Sequence, residues 1–206
     1  DAIRYNYLGT NRVNDIRFGF KMLEEAKRKL MNFYNIAAFF DLYYEIDKPD
    51  LTKEYKVYSV SDRWLDTRIN KFVAEAKKYY DNFEPNNVVK IFEDCVDEVS
   101  NWYIKINRKK FWKSEMNDEK YSAYQSLYRA LKQMTQVMAP IIPFMTERIW
   151  KDLVRNVEPN EEVSVHLSRF PEVKEYDEKL LEETDQVRNI VTMALRIKNE
   201  NNLKLT

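Results

Sequence analysis

Glycine is nearly absent from this 206-residue sequence: it occurs only at positions 9 and 19, and prolines number six. Tight hairpin turns and the loops that cradle nucleotide phosphates both depend on glycine. The composition therefore argues against a turn-rich sheet protein and against a glycine-rich phosphate loop. A mostly helical chain is expected instead.

Apolar residues recur every three or four positions along most of the chain, which is the spacing of amphipathic helices. Prolines at 49, 85, 140 and 143 mark the boundaries between these stripes. The pattern predicts helices over Met22–Tyr44, from Ser61 or Asp62 to Pro85, over Asn87–Trp112, Asp118–Met138, Phe144–Val154 and Glu178–Asn201. We therefore predict an all-α fold, an up-and-down helical bundle.

Two parts of the chain lack the helical pattern. The first twenty residues are predicted to be loop-like or to hold a short element, and Val163–Leu167 is predicted as a brief extended segment. No apolar run approaches the roughly 20 residues that span a bilayer, and the first residues do not form a signal peptide. A soluble, intracellular protein without a membrane partner is expected.

The third predicted helix has an unusual distribution of charge. No acidic residue occurs from Val99 to Ser114, whereas five cations do: Lys105, Arg108, Lys109, Lys110 and Lys113. Cations near a helix C-terminus suit the helix dipole, and this explains part of the pattern. The net charge of the chain is zero, which weakly opposes nucleic-acid binding.

Aromatic residues are interleaved with these cations. The spacing predicts that Trp102 and Ile106 lie on the buried face of the helix, and that Phe111 and Trp112 form its functional edge. Phosphates need cations and unstacked bases need flat partners, so the mixture favours RNA contact. An acidic protein partner remains the alternative, with the chain acting as a helical interaction scaffold.

The same segment resembles a motif of isoleucyl-tRNA synthetases. Ser100–Trp112 reads Ser-Asn-Trp-Tyr-Ile-Lys-Ile-Asn-Arg-Lys-Lys-Phe-Trp, and the family pattern is Ser-Asn-Trp-Tyr-Val/Ile-Arg-Arg-Ser/Asn-Arg-Arg-Arg-Phe-Trp. Further similar stretches follow in the family's order: Asp62–Asn70, Met138–Trp150, Ser164–Leu167 and Phe170-Pro171. Valyl- and leucyl-tRNA synthetases share the bundle but lack the Phe-Trp ending, and they remain a further alternative.

The resemblance implies a domain order and a set of site residues. Residues 1–20 would be the end of the class I catalytic region, 21–175 the anticodon-binding bundle, and 176–206 a helix leading to a C-terminal linker. The expected partner is isoleucine tRNA, bound by a monomeric, cytoplasmic protein. The implied tRNA-binding residues are Lys105, Arg108, Lys109, Lys110, Phe111, Trp112 and Lys113, with Arg63 and Arg68 as weaker candidates.

Lysines stand at 105, 109 and 110 where the family has arginines, and they keep the charge but lose the two-pronged donor. Phosphate contact is therefore expected more than reading of base edges. Ile106 replaces another arginine, so no binding role is implied there. Five contacts to single-stranded phosphates would give a fall of about 3.5 log units in affinity per log unit of salt.

The chemistry of class I synthetases is not expected in this chain. His166 is the single histidine, so the family's His-Ile-Gly-His motif is absent, as is its Lys-Met-Ser-Lys loop. We expect no catalytic residue, no metal site and no cofactor in this region, whereas the parent ligase would use ATP and magnesium. Cys95 lies among apolar helix positions and is expected to be a buried, inert thiol.

Overall fold

The computed structural model describes residues 1–10, 19–53, 59–113 and 115–201. Helix α1 is Ala2–Gly9, α2 is Phe20–Asp47, α3 is Val60–Asp81 and α4 is Pro85–Glu98. A π-helical segment, Val99–Ile104, joins α4 to α5, Lys105–Trp112. The remaining helices are α6 (Asp118–Met138), α7 (Pro143–Ile149), a second π-helical segment (Trp150–Val154), α8 (Arg155–Val157) and α9 (Glu178–Glu200).

Local sequence signals set several of these boundaries. The side chain of Ser59 caps α3 by accepting a 3.2 Å hydrogen bond from the amide of Asp62. Asn117 caps α6 in the same way through the amide of Lys120, at 2.9 Å. Pro85 and Pro143 stand in the first turns of α4 and α7, where a missing amide proton costs least.

Helix α3 is the centre of the bundle. It packs against α4 and α6, and α9 lies along it. Leu65, Phe72 and Val73 of α3 are fully enclosed, as are Leu127 and Met134 of α6. Burying such side chains contributes on the order of 1.5–3 kcal/mol each, so the α3–α6 contact is a main source of stability.

The predictions of fold class and helix order are confirmed. Every described element is helical, and the observed helices match the predicted ones to within a few residues. Residues 1–20 contain α1, whereas positions 11–18 lie outside the described residues. No helix in the described part of the chain is long and apolar enough to cross a membrane.

The prediction of an extended segment at Val163–Leu167 is wrong. Residues Val165–Leu167 form a short 3-10 turn, because the hydroxyl of Ser164 accepts a 3.2 Å hydrogen bond from the amide of His166 and caps it. Val165 is buried, and Ser164 donates to the carboxylate of Glu147 on α7 at 2.8 Å. The segment is thus tied to α7 and does not pair as a strand.

The buried face between α4 and α5 is also different from the prediction. A π-helical turn takes in one residue more than an α-helical turn, so Val99–Ile104 shifts the phase of everything after it. The core side chains after Val99 are Tyr103, Asn107 and Phe111, each four residues apart. Ile106 is 47% exposed, so its predicted burial is wrong, and Trp102 is only partly buried.

This phase shift predicts that substitutions at two residues of α5 will have very different effects on the free energy of unfolding. Phe111→Ala should lower the free energy of unfolding by about 3–5 kcal/mol, because it empties a fully enclosed site. Ile106→Ala should lower it by only about 1 kcal/mol or less, because the residue is 47% exposed. Urea denaturation followed by circular dichroism measures both. Equal losses, or a larger loss for Ile106→Ala, would show that the helix continues in unbroken α-helical phase.

Candidate nucleic-acid interface

Helix α5 carries a cationic, aromatic stripe on its outer face. One side of this helix is formed by Lys105 and by the residues three, four and seven positions after it, which are Arg108, Lys109 and Trp112. All four are exposed, and Lys113 follows them in solvent at the end of the helix. The opposite side of α5 is formed by Asn107 and Phe111, which are 2% and 1% exposed. We call Lys105, Arg108, Lys109, Trp112 and Lys113 the α5 stripe.

Trp112 and Arg108 form a stacked pair within the α5 stripe. The guanidinium carbon of Arg108 lies 4.5 Å from the centre of the Trp112 ring, in cation–π contact. Trp112 is nevertheless 55% exposed, so part of its ring still faces solvent. A flat, partly exposed ring beside a delocalised cation is the kind of surface on which a nucleic-acid base stacks.

The cations of the α5 stripe have no acidic partner among the residues that the structure describes. The ion pairs found there involve other parts of the chain, for example Lys132 with Glu158 and Lys29 with Glu93. Exposed, unpaired cations can bind phosphate without first breaking an ion pair. The zero net charge of the chain therefore coexists with a local surface that favours an anion.

A buried carboxylate holds α5 in place. Asp62 of α3 is completely buried and accepts hydrogen bonds from the hydroxyls of Tyr103, at 2.9 Å, and Ser122, at 3.1 Å. The ammonium group of Lys110 lies 3.8 Å from the same carboxylate. Burial, and then the neighbouring Asp62 charge, raise the pKa of Tyr103 well above its usual value, so its hydroxyl remains a donor.

Two further hydrogen bonds join α5 to the start of α3. The ammonium of Lys110 donates to the hydroxyl of Ser59 at 3.0 Å, and the hydroxyl of Ser61 donates to the side-chain oxygen of Asn107, also at 3.0 Å. Asn107 in turn donates to the carbonyl oxygen of Tyr103 at 3.0 Å. The first turn of α3 and the whole of α5 are therefore one connected unit.

The residue that ends the α5 stripe is anchored from the other side. Lys120 of α6 is 1% exposed, and its ammonium donates to the backbone carbonyl of Lys113 and pairs with Asp47 at 2.6 Å. The hydroxyl of Tyr124 donates to the same Asp47 carboxylate. Burial and this hydrogen bond raise the pKa of Tyr124. The end of α5 is thereby fixed to α2 and α6.

The predicted site residues divide into those that are exposed to solvent and those whose side chains are buried or engaged within the protein. Those of the α5 stripe are exposed together, and Arg63 is exposed in the first turn of α3. Lys110 is the exception among the predicted cations, because its side chain is 19% exposed and its ammonium is engaged by Ser59 and Asp62. Its ammonium group is therefore held against the start of α3, and its contact with a phosphate stays a prediction.

Two predicted contact residues are corrected outright by their burial. The ring of Phe111 packs edge-on against Phe39 and Tyr124, with centroids 5.2 and 5.0 Å apart, so it cannot stack on a base. Arg68 is 9% exposed and pairs with Glu98, in a groove between α3, α4 and α9 that also contains Asp94 and other acids. Neither side chain belongs to the exposed cationic surface.

Sequence reasoning missed the residues that position this surface. Asp62 was predicted only as a possible start of a helix, and nothing in the sequence marks Lys120 or Asn107 as buried polar residues. Their partners are distant in sequence: Asp62 bonds to Tyr103 and Ser122. The one available signal was the resemblance over Asp62–Asn70, which placed an acid at the start of a helix without indicating its burial.

Groups that could hold a metal or act as a nucleophile do not converge in the described ranges. No cluster of three histidine, cysteine, aspartate or glutamate side chains with metal-binding geometry occurs among those residues. Cys95 is fully buried, as predicted, and burial raises the pKa of its thiol to about 11. The thiol is therefore protonated and shielded from reagents in the native protein.

Comparison with known proteins identifies the family. Residues 62–206 match the family described as the anticodon-binding domain of tRNA ligase. An isoleucine–tRNA ligase from Clostridium acetobutylicum is 36% identical over 193 residues, which cover 91% of this chain and 19% of that protein. Isoleucine–tRNA ligases from Bacteroides fragilis and Dehalococcoides mccartyi are each 34% identical over 100% of this chain and cover 19% and 21% of those proteins.

The chain thus spans about a fifth of the length of the curated relatives that it matches. The family match begins at Asp62, and so includes both the buried carboxylate that positions α5 and the α5 stripe itself. Since this match extends over more than half of the sequence, the chain belongs to the family of anticodon-binding domains of tRNA ligases.

Proposed function

We propose that the chain is the anticodon-binding part of an isoleucine–tRNA ligase, and that the α5 stripe contacts the anticodon stem-loop of isoleucine tRNA. The observation that carries the proposal is the exposed cationic row of α5, which has no acidic partner among the described residues, beside the exposed ring of Trp112. The isoleucine assignment is supported by the relatives, which are isoleucine–tRNA ligases whose sequences match nearly the whole of this chain. Arg63 is exposed in the first turn of α3 and stays a weaker candidate for tRNA contact.

The residues of the stripe have different tasks in this proposal. Lys105, Lys109 and Lys113 contact phosphates as compact charges, because a lysine lacks the planar fork that reads a guanine edge. Arg108 contacts a phosphate and holds Trp112 in position, and an unstacked base lies on the free part of the Trp112 ring. The positioning of all five depends on the buried contacts of Asp62 and Lys120.

In the complete ligase, this region would place the acceptor end of the tRNA in a catalytic domain outside the residues described. That domain would use ATP and magnesium to attach isoleucine, and this region would supply no cofactor ligand. We propose a cytoplasmic, monomeric enzyme. Rigid placement suits that task, because an error in position at the anticodon end is transmitted along the tRNA to the reacting end.

Salt dependence tests the number of phosphate contacts. Lys105, Arg108, Lys109 and Lys113 remain once Lys110 is assigned to Asp62, so affinity for isoleucine tRNA should fall by about 2.8 log units per log unit of salt. Lys105→Ala combined with Lys109→Ala should reduce that slope to about 1.4. Filter binding of the 206-residue chain across a salt series measures both slopes.

The matched control changes two lysines that are distant from the stripe. Lys27 and Lys78 are exposed, and Lys27 lies about 18 Å along α2 from Phe39, which packs on Phe111 of α5. Lys27→Ala combined with Lys78→Ala should leave the slope of the unaltered chain in place. An equal reduction in both double variants would mean that binding is diffuse, and a slope near zero in the unaltered chain would reject the phosphate contacts. Equal affinity for a tRNA with another anticodon would reject the isoleucine assignment.

Removal of the exposed ring tests the stacking contact separately. Trp112→Ala should weaken tRNA binding by about 1–3 kcal/mol, because it removes one base-stacking surface. The salt slope should stay the same, because every cation of the stripe is retained. Trp112→Phe should recover part of the affinity. A salt slope lower by about 0.7 in Trp112→Ala would show instead that Trp112 acts by orienting Arg108 toward a phosphate.

A further inference from the structure

Helix α9 has two parts with different surroundings. Its first turns lie against the bundle: Leu181 is 6% exposed, Lys71 of α3 pairs with Glu178 at 2.6 Å, and Arg188 pairs with Glu98 of α4. Residues 189–197 are all exposed. A helix rises 1.5 Å per residue, so the exposed part extends on the order of 13 Å beyond the last contact with the bundle.

The exposed part is strongly apolar on one side. Ile190, Met193 and Ile197 are 66%, 64% and 57% exposed, and Val187, at 51%, lies on the same side one turn earlier. Their spacing of three and four residues makes a continuous stripe, to which Ala194 also belongs. Single exposed apolar residues are ordinary on protein surfaces, but a contiguous row along one helix marks a surface that another element covers.

This row does not face the bundle. Ile190 follows Leu181 by nine residues, which is two and a half helical turns, so the two side chains leave the helix on opposite sides. Beyond Arg188, the hydrogen bonds and ion pairs of the described residues stay within α9, for example Arg196 with Glu200 at 2.8 Å. The apolar row is therefore left uncovered by the residues that the structure describes.

We infer that the apolar row Val187, Ile190, Met193, Ala194 and Ile197 is covered by an apolar surface of the same ligase polypeptide, formed by residues outside this chain. The inference rests on the proposed function in one respect, since it takes the chain to be one part of a longer ligase. The supporting observation is length: relatives that match all of this chain, α9 included, are about five times longer.

Covalent linkage favours this occupant over a second copy of the chain. A segment joined to α9 in one polypeptide is present at an effective concentration in the millimolar range, whereas a second molecule is present only at its cellular concentration. The anchoring of α9 by Leu181 and by the Arg188–Glu98 pair gives the row a fixed direction relative to the bundle. The covered α9 thus links the position of the α5 stripe to the remainder of the enzyme.

Site-specific alkylation tests the inference in the full-length ligase. Ile190→Cys and Ala194→Cys place a thiol in the apolar row, and Thr192→Cys is the matched control, because it is exposed but about 200° around the helix from Ile190. Iodoacetamide labelling of each is quantified by mass spectrometry of the α9 peptide. Cys95 lies in a different peptide and is buried, so it does not interfere.

In the 206-residue chain, all three thiols should react at similar rates. In the full-length ligase, labelling at 190 and 194 should slow at least tenfold, and labelling at 192 should change by less than twofold. Unchanged labelling at 190 and 194 would overturn the inference. Protection that already occurs in the isolated chain and grows with its concentration would also overturn it, since a second copy would then be the occupant. Failure of tRNA binding would reject the proposed function without affecting these labelling rates.

Discussion

The rest of this structure depends on the hydrogen bonds that the buried carboxylate of Asp62 accepts. Asp62 belongs to α3 and is completely buried. Its carboxylate accepts hydrogen bonds from Tyr103 of the π-helical segment and from Ser122 of α6. A buried charge is costly unless it is paired and hydrogen-bonded, so these partners must remain in place for the fold to be stable. Through Lys110, the same carboxylate also determines where α5 lies.

The neutral net charge of the chain conceals a surface with a definite sign. Screening limits the reach of exposed charges to about 8–10 Å in physiological salt, so the local arrangement matters more than the total. Several acidic residues elsewhere pair with cations of the chain, as in the Lys132–Glu158 and Arg129–Asp66 bridges. The cations of the α5 stripe have no such partner in the described part of the chain, and this is the physical basis for proposing that α5 binds an anion.

The helices could be predicted from the sequence because their signals are local. The apolar stripe of α2 and the caps of α3 and α6 depend on residues three or four positions apart. The burial of Phe111 could not be predicted in this way. It depends on one π-helical turn, and nothing in the local spacing distinguishes Tyr103 from Trp102 as the residue that faces the core. Lys110 was likewise predicted as a phosphate ligand. Its contact with Asp62 could not be predicted, because the two residues are far apart in the sequence.

Lysine footprinting tests the central claim most directly. Acetylation of each lysine, quantified by mass spectrometry with and without saturating isoleucine tRNA, reports which ammonium groups the RNA covers. The account predicts strong protection of Lys105, Lys109 and Lys113, no change at the distant Lys27 and Lys78, and low reactivity of Lys110 in both conditions because Asp62 and Ser59 engage it. Protection at Lys27 and Lys78 with none along α5 would contradict it.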